Sequence, residues 1–141
     1  MIKIYENWRL FLEKAKDIDE IAKAVVFKDN KILLLKRSNY LKKYAGEWDL
    51  PGGHLVEDEA TEDGLRREVE EETNLSLKNI KKLTKDGKMS YFKADAGPED
   101  IKLSDEHTEH KYFSESELEG LSDLPAKYRN AINKALSNDD D

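Results

Sequence analysis

The fold of this chain is decided by residues 53–75, which read GHLVEDEATEDGLRREVEEETNL. Residues 61–73 predict a helix in which Leu65 and Val69 form an apolar stripe that can pack against a sheet. At about 100° per residue, three carboxylates fall within an arc of about 100° beside that stripe: Glu68, Glu71 and Glu72. Converging carboxylates repel one another, and their oxygens suit a hard cation such as Mg²⁺ or Mn²⁺. The pattern therefore predicts a metal site on this helix.

A helix rich in Glu and Arg also has a simpler interpretation, a solvated face with ion pairs between residues four apart. Arg67 lies four residues before Glu71, so it can pair with that carboxylate and orient it. The surroundings favour the metal-site hypothesis, because Gly53 precedes the helix by a fixed interval, Glu59 sits between them and Leu75 closes the stretch.

The composition predicts one folded domain with a heavily charged surface. Charged residues make up 39% of the 141 residues, yet Leu, Ile, Val and Phe number 33, above the roughly one-fifth level at which disorder becomes the default. We therefore expect a single domain over residues 1–141, with a frayed tail at 138–141. The net charge of −7 disfavours stable nucleic-acid binding, which needs a basic excess to neutralise phosphates.

Several kinds of protein are excluded or disfavoured. The chain has no cysteine, which removes disulfides, thiolate zinc sites and a cysteine nucleophile. The spacing of His107 and His110 invites a zinc interpretation, but no third-ligand motif accompanies it. No apolar run approaches the roughly 20 residues that a membrane helix needs, and residues 1–9 lack the apolar core of a signal peptide. A cytoplasmic protein without a membrane partner is the expectation.

Outside 53–75 the chain alternates predicted strands and helices. The predictions are a helix over 5–20, strands over 22–27 and 31–37, a loop over 38–53, strands around 76–84, 88–94 and 109–113, a short helix after Ser114 and a last helix from near Pro125. Asp29-Asn30 predicts a tight turn between the first two strands, whose unbroken apolar character predicts burial on both faces. Ser114 and Glu117 have the spacing of a capping box. This order of elements favours an α/β sandwich.

The stretch 53–75 resembles the Nudix box, which reads G-x5-E-x7-R-E-U-x-E-E-x-G-U, where U is an apolar residue. The matching residues are Gly53, Glu59, Arg67, Glu68, Val69, Glu71, Glu72 and Leu75. Asn74 departs from the pattern, which has Gly there. The position just past a helix often takes a left-handed conformation, for which Asn is second to Gly. The family's common lead-in, G-x-W-x-x-P-G-G, is matched by GEWDLPGG at 46–53.

This resemblance implies an α/β/α sandwich with a mixed sheet, and a hydrolase that cleaves a nucleoside diphosphate linked to another group. Its implied cofactor is Mg²⁺, with Mn²⁺ as a substitute. The implied metal ligands are Glu68, Glu71, Glu72 and the backbone carbonyl of Gly53. Glu59 would orient the cluster through water, and Arg67 would hold a glutamate in place. The general base would be Glu71 or a loop carboxylate, for which Glu106 is the candidate.

The substrate is less well specified. Arg37 ends the second predicted strand and is a candidate phosphate contact, although a strand-end Arg has an ordinary structural explanation. Tyr91 stands 16 residues past Leu75, where diadenosine polyphosphate hydrolases of the family often have a base-stacking Tyr; simple packing in a strand is the alternative. A dinucleoside polyphosphate and a nucleotide-sugar type of substrate both stay open, as does a homodimer. The competing hypotheses are a non-catalytic nucleotide-binding module and a purely structural acidic helix.

Overall fold

The computed structural model describes residues 17–39 and 45–137. The strands in these ranges are β1 (Asp17–Lys28), β2 (Lys31–Arg37), β3 (Trp48–Asp49), β4 (Gly52–Val56), β5 (Leu77–Asp86), β6 (Met89–Ala96) and β7 (His107–Phe113). The helices are α1 (Thr61–Thr73), α2 (Glu115–Glu119) and α3 (Ala126–Ser137). The predicted frayed tail at 138–141 and most of the predicted helix over 5–20 lie outside the described residues.

The described strands form one mixed sheet built around β1. Its main order is β3-β2-β1-β6-β5, with β4 also paired to β1 and β7 also paired to β2. The β1–β6 pair is parallel, whereas the other pairs are antiparallel. The predicted α/β class with a mixed sheet is therefore confirmed.

The first two strands form the hairpin that the sequence predicts. Asp29 and Asn30 have φ values of 52° and 65°, and two consecutive positive φ angles give a turn whose twist matches that of paired strands. Residues 22–26 of β1 and 32–35 of β2 are buried. Burial on both faces is thus confirmed, because each strand has helices or loops packed above and below it.

Two predictions of local structure were wrong. Residues 17–20 belong to β1 rather than to a helix, since Asp17 pairs with Val56 of β4. The predicted loop over 38–53 contains β3 and the start of β4, because Leu35 of β2 pairs with Asp49. In both places the partner strand is distant in the sequence, so local periodicity carries no signal of the pairing.

Helices cover the two faces of the sheet. Leu65 and Val69 of α1 pack on one face in a core that includes Leu33 and Leu35. The other face packs against α2 and α3, where Tyr128 and Ile132 join a second core. The architecture is the expected α/β/α sandwich. Among the described residues, no helix has the length and apolar character needed to cross a membrane.

The end of α1 confirms the expected conformation of Asn74. This residue has φ 69° and ψ 5°, the left-handed region, and its N–H donates to the Glu70 carbonyl at 2.8 Å. Its side-chain Nδ2 also donates to the Asp100 carbonyl at 3.1 Å. Asn74 therefore adopts the left-handed conformation at the position where the family pattern has Gly, and its side chain adds a hydrogen bond to the loop after β6.

We expect Asn74→Gly to be close to neutral, because the relief of left-handed strain offsets one exposed hydrogen bond. Asn74→Val should lower the free energy of unfolding by about 1–2 kcal/mol, since a β-branched residue tolerates positive φ poorly. Urea denaturation of both variants measures the difference. Equal stability of the Gly and Val variants would contradict the left-handed geometry.

Candidate active site

A cleft of about 530 Å³ opens where β4 and the first half of β1 meet α1, α3 and the loop before β7. Four of its lining residues are acidic and three are basic: Asp19, Glu68, Glu72 and Glu106, and Lys23, Arg37 and Lys127. Gly52, Gly53, His54, Ile21, Met89 and Tyr128 complete the lining. Both charge signs therefore meet in one concave space beside the glycine turn.

Two of the three predicted helix carboxylates face this cleft from α1. Glu72 is 5% exposed, and its Oε1 accepts a hydrogen bond from the Gly52 N–H at 2.8 Å. Burial raises the pKa of Glu72 to about 8. Burial also raises the pKa of Glu68 to about 7, and the charges of Glu71 and Glu106 add to this shift. Such carboxylates ionise readily only when a positive charge lies beside them.

Gly53 allows the Glu68 carboxylate to lie directly against the turn. A Cβ atom built on Gly53 would stand 2.6 Å from Glu68 Oε2. A side chain at this position would therefore displace the Glu68 carboxylate, which Gly53 leaves room for.

Arg67 joins the acidic side chains of this region. Its Nε and Nη2 pair with the two carboxylate oxygens of Glu59 at 2.8 and 3.1 Å. Its Nη1 donates to Glu68 Oε1 and to Glu71 Oε1, each at 3.2 Å. Burial alone would raise the pKa of Glu59, but hydrogen bonds from Arg67 and the Val56 N–H hold it below its usual range. Arg67 therefore links Glu59 to Glu68 and Glu71.

The third predicted carboxylate lies apart from the cleft. The Glu71 side chain is 56% exposed and does not line the cleft. In the described residues, no group of three acidic or histidine side chains stands in position to hold an ion. The predicted convergence thus holds for Glu68 and Glu72, whereas Glu71 lies beside Glu68 at their shared Arg67 donor.

Glu106 reaches the cleft from a loop that is tied down at both ends. The Ser38 N–H donates to the Glu106 carbonyl at 2.8 Å, and the Ser104 N–H donates to the Glu72 carbonyl at 3.1 Å. The loop is thereby fixed between the end of β2 and the end of α1. The charge of Glu106 acts on Glu68, so the candidate loop carboxylate and the helix carboxylates share one electrostatic environment.

A polar cluster centred on the buried Asp49 lies next to Lys23 and Arg37 of the cleft lining, and the sequence analysis did not predict it. Asp49 is 1% exposed, and its carboxylate lies 3.0 Å from Lys23 Nζ, 3.3 Å from Arg37 Nη1 and 3.1 Å from His107 Nε2. Burial alone would raise the pKa of Asp49, but Lys23 and His107 hold it well below its usual range. Arg37, the candidate phosphate contact, lines the cleft, whereas the His107 ring lies against Asp49 and His110 is exposed.

The structure places Tyr91 in the core and Tyr128 at the cleft. Tyr91 is 2% exposed and its ring packs edge-on against Tyr128, with centroids 6.5 Å apart. Tyr91 is not among the described residues that line the cleft. Its buried ring has no face open to a base, and the aromatic ring beside the cleft is that of Tyr128.

The missed residues carried only faint sequence signals. Lys23 interrupts the apolar run AKAVVF, and Asp49 stands between Trp48 and Leu50 in the lead-in. A charge inside an apolar strand predicts a buried partner. Such a charge does not identify its partner in the sequence, because Lys23 and Asp49 become neighbours only when the sheet forms.

The carboxylates of the cleft supply oxygen donors of the kind that a hard divalent cation takes. Glu68 and Glu72 present carboxylate oxygens from one helix, and Gly53 lies beside Glu68. Burial raises the pKa of both carboxyls, and Arg67 beside Glu68 and Lys23 near Glu72 act in the opposite direction. Oxygen ligands without nitrogen or sulfur favour Mg²⁺ or Mn²⁺ over zinc.

The fold and the cleft together define an α/β/α sandwich with a carboxylate-bearing helix and a glycine turn at one site. The family model described as NUDIX domain matches residues 20–135. The chain therefore belongs to the Nudix hydrolase family.

Individual relatives agree with this membership. An ADP-ribose pyrophosphatase from Methanocaldococcus jannaschii is 40% identical over 70 residues, 50% of this chain and 38% of that protein. A MutT-like protein from Streptomyces ambofaciens is 40% identical over 57 residues, 40% of this chain and 34% of that protein. The matches thus span little more than a third of each curated relative. The crystal structure of a MutT protein from Methanosarcina mazei Go1 has 30% identity and a TM-score of 0.69, covering 87% of this chain and 99% of that one.

Proposed function

We propose that this protein is a metal-dependent pyrophosphohydrolase that cleaves a nucleoside diphosphate linked to another group. The observation that carries the proposal is the pair of carboxylates on one helix, the half-buried Glu68 and the buried Glu72, facing the same cleft as Arg37 and Lys127. Glu68 and Glu72 would hold a cation that neutralises the charge of a diphosphate in this cleft, and Arg37 and Lys127 would add positive side chains.

The proposed metal ligands are Glu68, Glu72 and the Gly53 carbonyl, with Glu71 as a further ligand. A bound Mg²⁺ would supply Lewis acidity to the phosphoryl oxygens and lower the pKa of water. Arg67 holds Glu68 and Glu71 by hydrogen bonds from one nitrogen. Glu59 fixes Arg67 in turn through two contacts.

Glu106 is the favoured proton acceptor for the attacking water. It lines the cleft from the loop before β7, and its backbone carbonyl accepts a hydrogen bond from the Ser38 N–H. Glu71 is the alternative base, and its position outside the cleft lining makes it the weaker choice. A positioned carboxylate base contributes about 10²- to 10⁴-fold to a rate.

A nucleotide-sugar type of substrate is favoured over a dinucleoside polyphosphate. The argument for the dinucleoside substrate depended on Tyr91, whose ring is packed against Tyr128 in the core. The name of the archaeal relative, ADP-ribose pyrophosphatase, supports ADP-ribose as the first compound to test. Arg37 and Lys127 are the proposed contacts for the phosphates.

Turnover of a panel containing ADP-ribose, a diadenosine polyphosphate and nucleoside triphosphates tests the proposal. We expect Mg²⁺-dependent release of a nucleoside monophosphate, and in H₂¹⁸O one phosphate product should carry the label. Glu72→Gln is the matched control for contaminating phosphatases. Tight nucleotide binding without turnover, in the presence of Mg²⁺ or Mn²⁺, would favour a binding module instead.

Metal binding should also be visible in stability. A ligand that binds the native state at one hundred times its Kd stabilises it by about 2.7 kcal/mol, which for a chain of this size corresponds to a rise in Tm of several degrees. Millimolar Mg²⁺ or Mn²⁺ should therefore raise Tm, and a chelator should abolish both this shift and the activity. KCl at matched ionic strength is the control. Absence of both effects would rule out the metal site.

A further inference from the structure

Lys23 is a charged residue in the buried middle of β1. It lies on β1 between Ala22 and Ala24, which are fully buried, and is itself only 6% exposed. Its Nζ donates to Asp49 Oδ1 at 3.0 Å, to the Leu50 carbonyl at 3.0 Å and to the Gly52 carbonyl at 3.1 Å. An ammonium group has three N–H donors, so these contacts use all of them.

These acceptors belong to the segment that leads into the proposed metal site. Two of them are backbone carbonyls, of Leu50 and Gly52, which flank Pro51 in the turn. The N–H of Gly52 then donates to Glu72 Oε1 at 2.8 Å, and the next residue is Gly53. A single buried side chain thus restrains the turn from the sheet side, while Glu72 restrains it from the helix side.

We propose that Lys23 is a positioning residue for the metal site: it fixes the turn at residues 50–53 so that Gly53 and Glu72 are held ready to bind the cation. This inference depends on the proposed function, because it assigns Lys23 a role toward the metal proposed there. Lys23 does not contact the substrate in this role; it acts through the turn.

Charge and geometry make opposite predictions for the removal of Lys23, which makes the inference testable. The positive charge of Lys23 acts on Glu72. By Coulomb's law alone, removal of that charge would strengthen the attraction of the site for a cation. Loss of the three hydrogen bonds would instead release the turn and weaken binding. The sign of the change in metal affinity therefore separates the two effects.

The experiment is Mn²⁺ titration of wild type and Lys23→Met by isothermal titration calorimetry. Residues that orient metal ligands without binding the metal themselves typically contribute about 10- to 100-fold to metal affinity. We therefore expect the Kd of Lys23→Met for Mn²⁺ to rise by that factor. At saturating metal, kcat should fall while KM for the best substrate changes by less than about threefold. A Kd equal to or lower than that of wild type would overturn the inference.

Two further variants serve as controls. Lys88→Met removes the same charge from an exposed residue paired with Asp19 at the cleft rim, and should leave the Kd for Mn²⁺ within about threefold of wild type. In the single variant, the buried Asp49 carboxylate loses its Lys23 partner. The double variant Lys23→Met/Asp49→Asn removes this carboxylate as well, and it should weaken Mn²⁺ binding by the same factor as Lys23→Met. Wild-type protein that binds no Mn²⁺ would instead refute the metal site itself.

Discussion

Glu72→Gln is expected to reduce kcat by at least about 10²-fold while the metal-free fold stays intact. Changes to residues that merely orient metal ligands typically cost about 10- to 100-fold, so loss of a ligand itself should reach or exceed the upper end. The glutamine amide keeps an oxygen that can accept the Gly52 N–H. It also removes a group that can ionise inside the protein, and burial, which disfavours the charged form, raises the pKa of Glu72 to about 8.

Stability and metal affinity are the measurements that accompany activity. Tm of Glu72→Gln without metal should equal or exceed that of wild type, because the amide keeps the shape of the side chain and cannot ionise in its buried position. The stabilisation by Mn²⁺ should disappear. If the variant keeps more than a tenth of the wild-type kcat and an unchanged Mn²⁺ shift, Glu72 is not a ligand.

Matched Glu-to-Gln changes at Glu71 and Glu106 separate a ligand from a base. A ligand variant loses metal affinity together with kcat, whereas a base variant loses about 10²-fold or more in kcat and keeps its affinity for Mn²⁺. We expect Glu106→Gln to behave as the base variant and Glu71→Gln as the ligand variant. The reverse pattern would move the base to α1, and mild effects at both would leave the carboxylate cluster a structural role.

Gly52→Ala should be the most destabilising single change at the site. A Cβ on Gly52 would lie 2.1 Å from the Ala22 carbonyl oxygen and 2.8 Å from Lys23 Cα, and the residue has φ of +130°. Neither backbone atom can move without breaking the β1–β4 pairing. We expect a loss of more than about 3 kcal/mol in the free energy of unfolding, in the range of severe core damage.

Gly87→Ala is the matched control, because Gly87 also has positive φ, +60°, but a Cβ there would meet no atom within 4 Å. It should cost only the left-handed backbone penalty of about 1–2 kcal/mol. Urea denaturation of both variants gives the comparison. If both variants lost a similar amount of free energy of unfolding, the close approach of Gly52 to β1 would not be the reason that this position needs glycine.

The local elements of this protein follow from local sequence. The helix over 61–73 and the strand over 31–37 have the predicted bounds. The capping box at Ser114 and the left-handed Asn74 form as expected. Each of these features depends on residues within a turn or two of one another, so spacing and backbone preference suffice to predict them.

The identity of the box residues was likewise visible in the sequence, but their arrangement was not. Helical spacing puts Glu68, Glu71 and Glu72 on neighbouring positions, yet Glu71 is drawn to Arg67 while Glu72 is buried against Gly52. Which carboxylate faces the cleft depends on what packs over the helix. Tyr91 shows the same limit, since its position after the box does not indicate that its ring is buried edge-on against Tyr128.

By itself, the sequence determined the acidic helix, the turns, the family and the chemistry that its carboxylates favour. Only the tertiary structure decided the strand pairing of residues 17–20, the cleft and the buried contact of Lys23 with Asp49. The physical reason is distance along the chain. Lys23 and Asp49 are brought together by the sheet, and a sequence pattern of short period cannot report which strands will become neighbours.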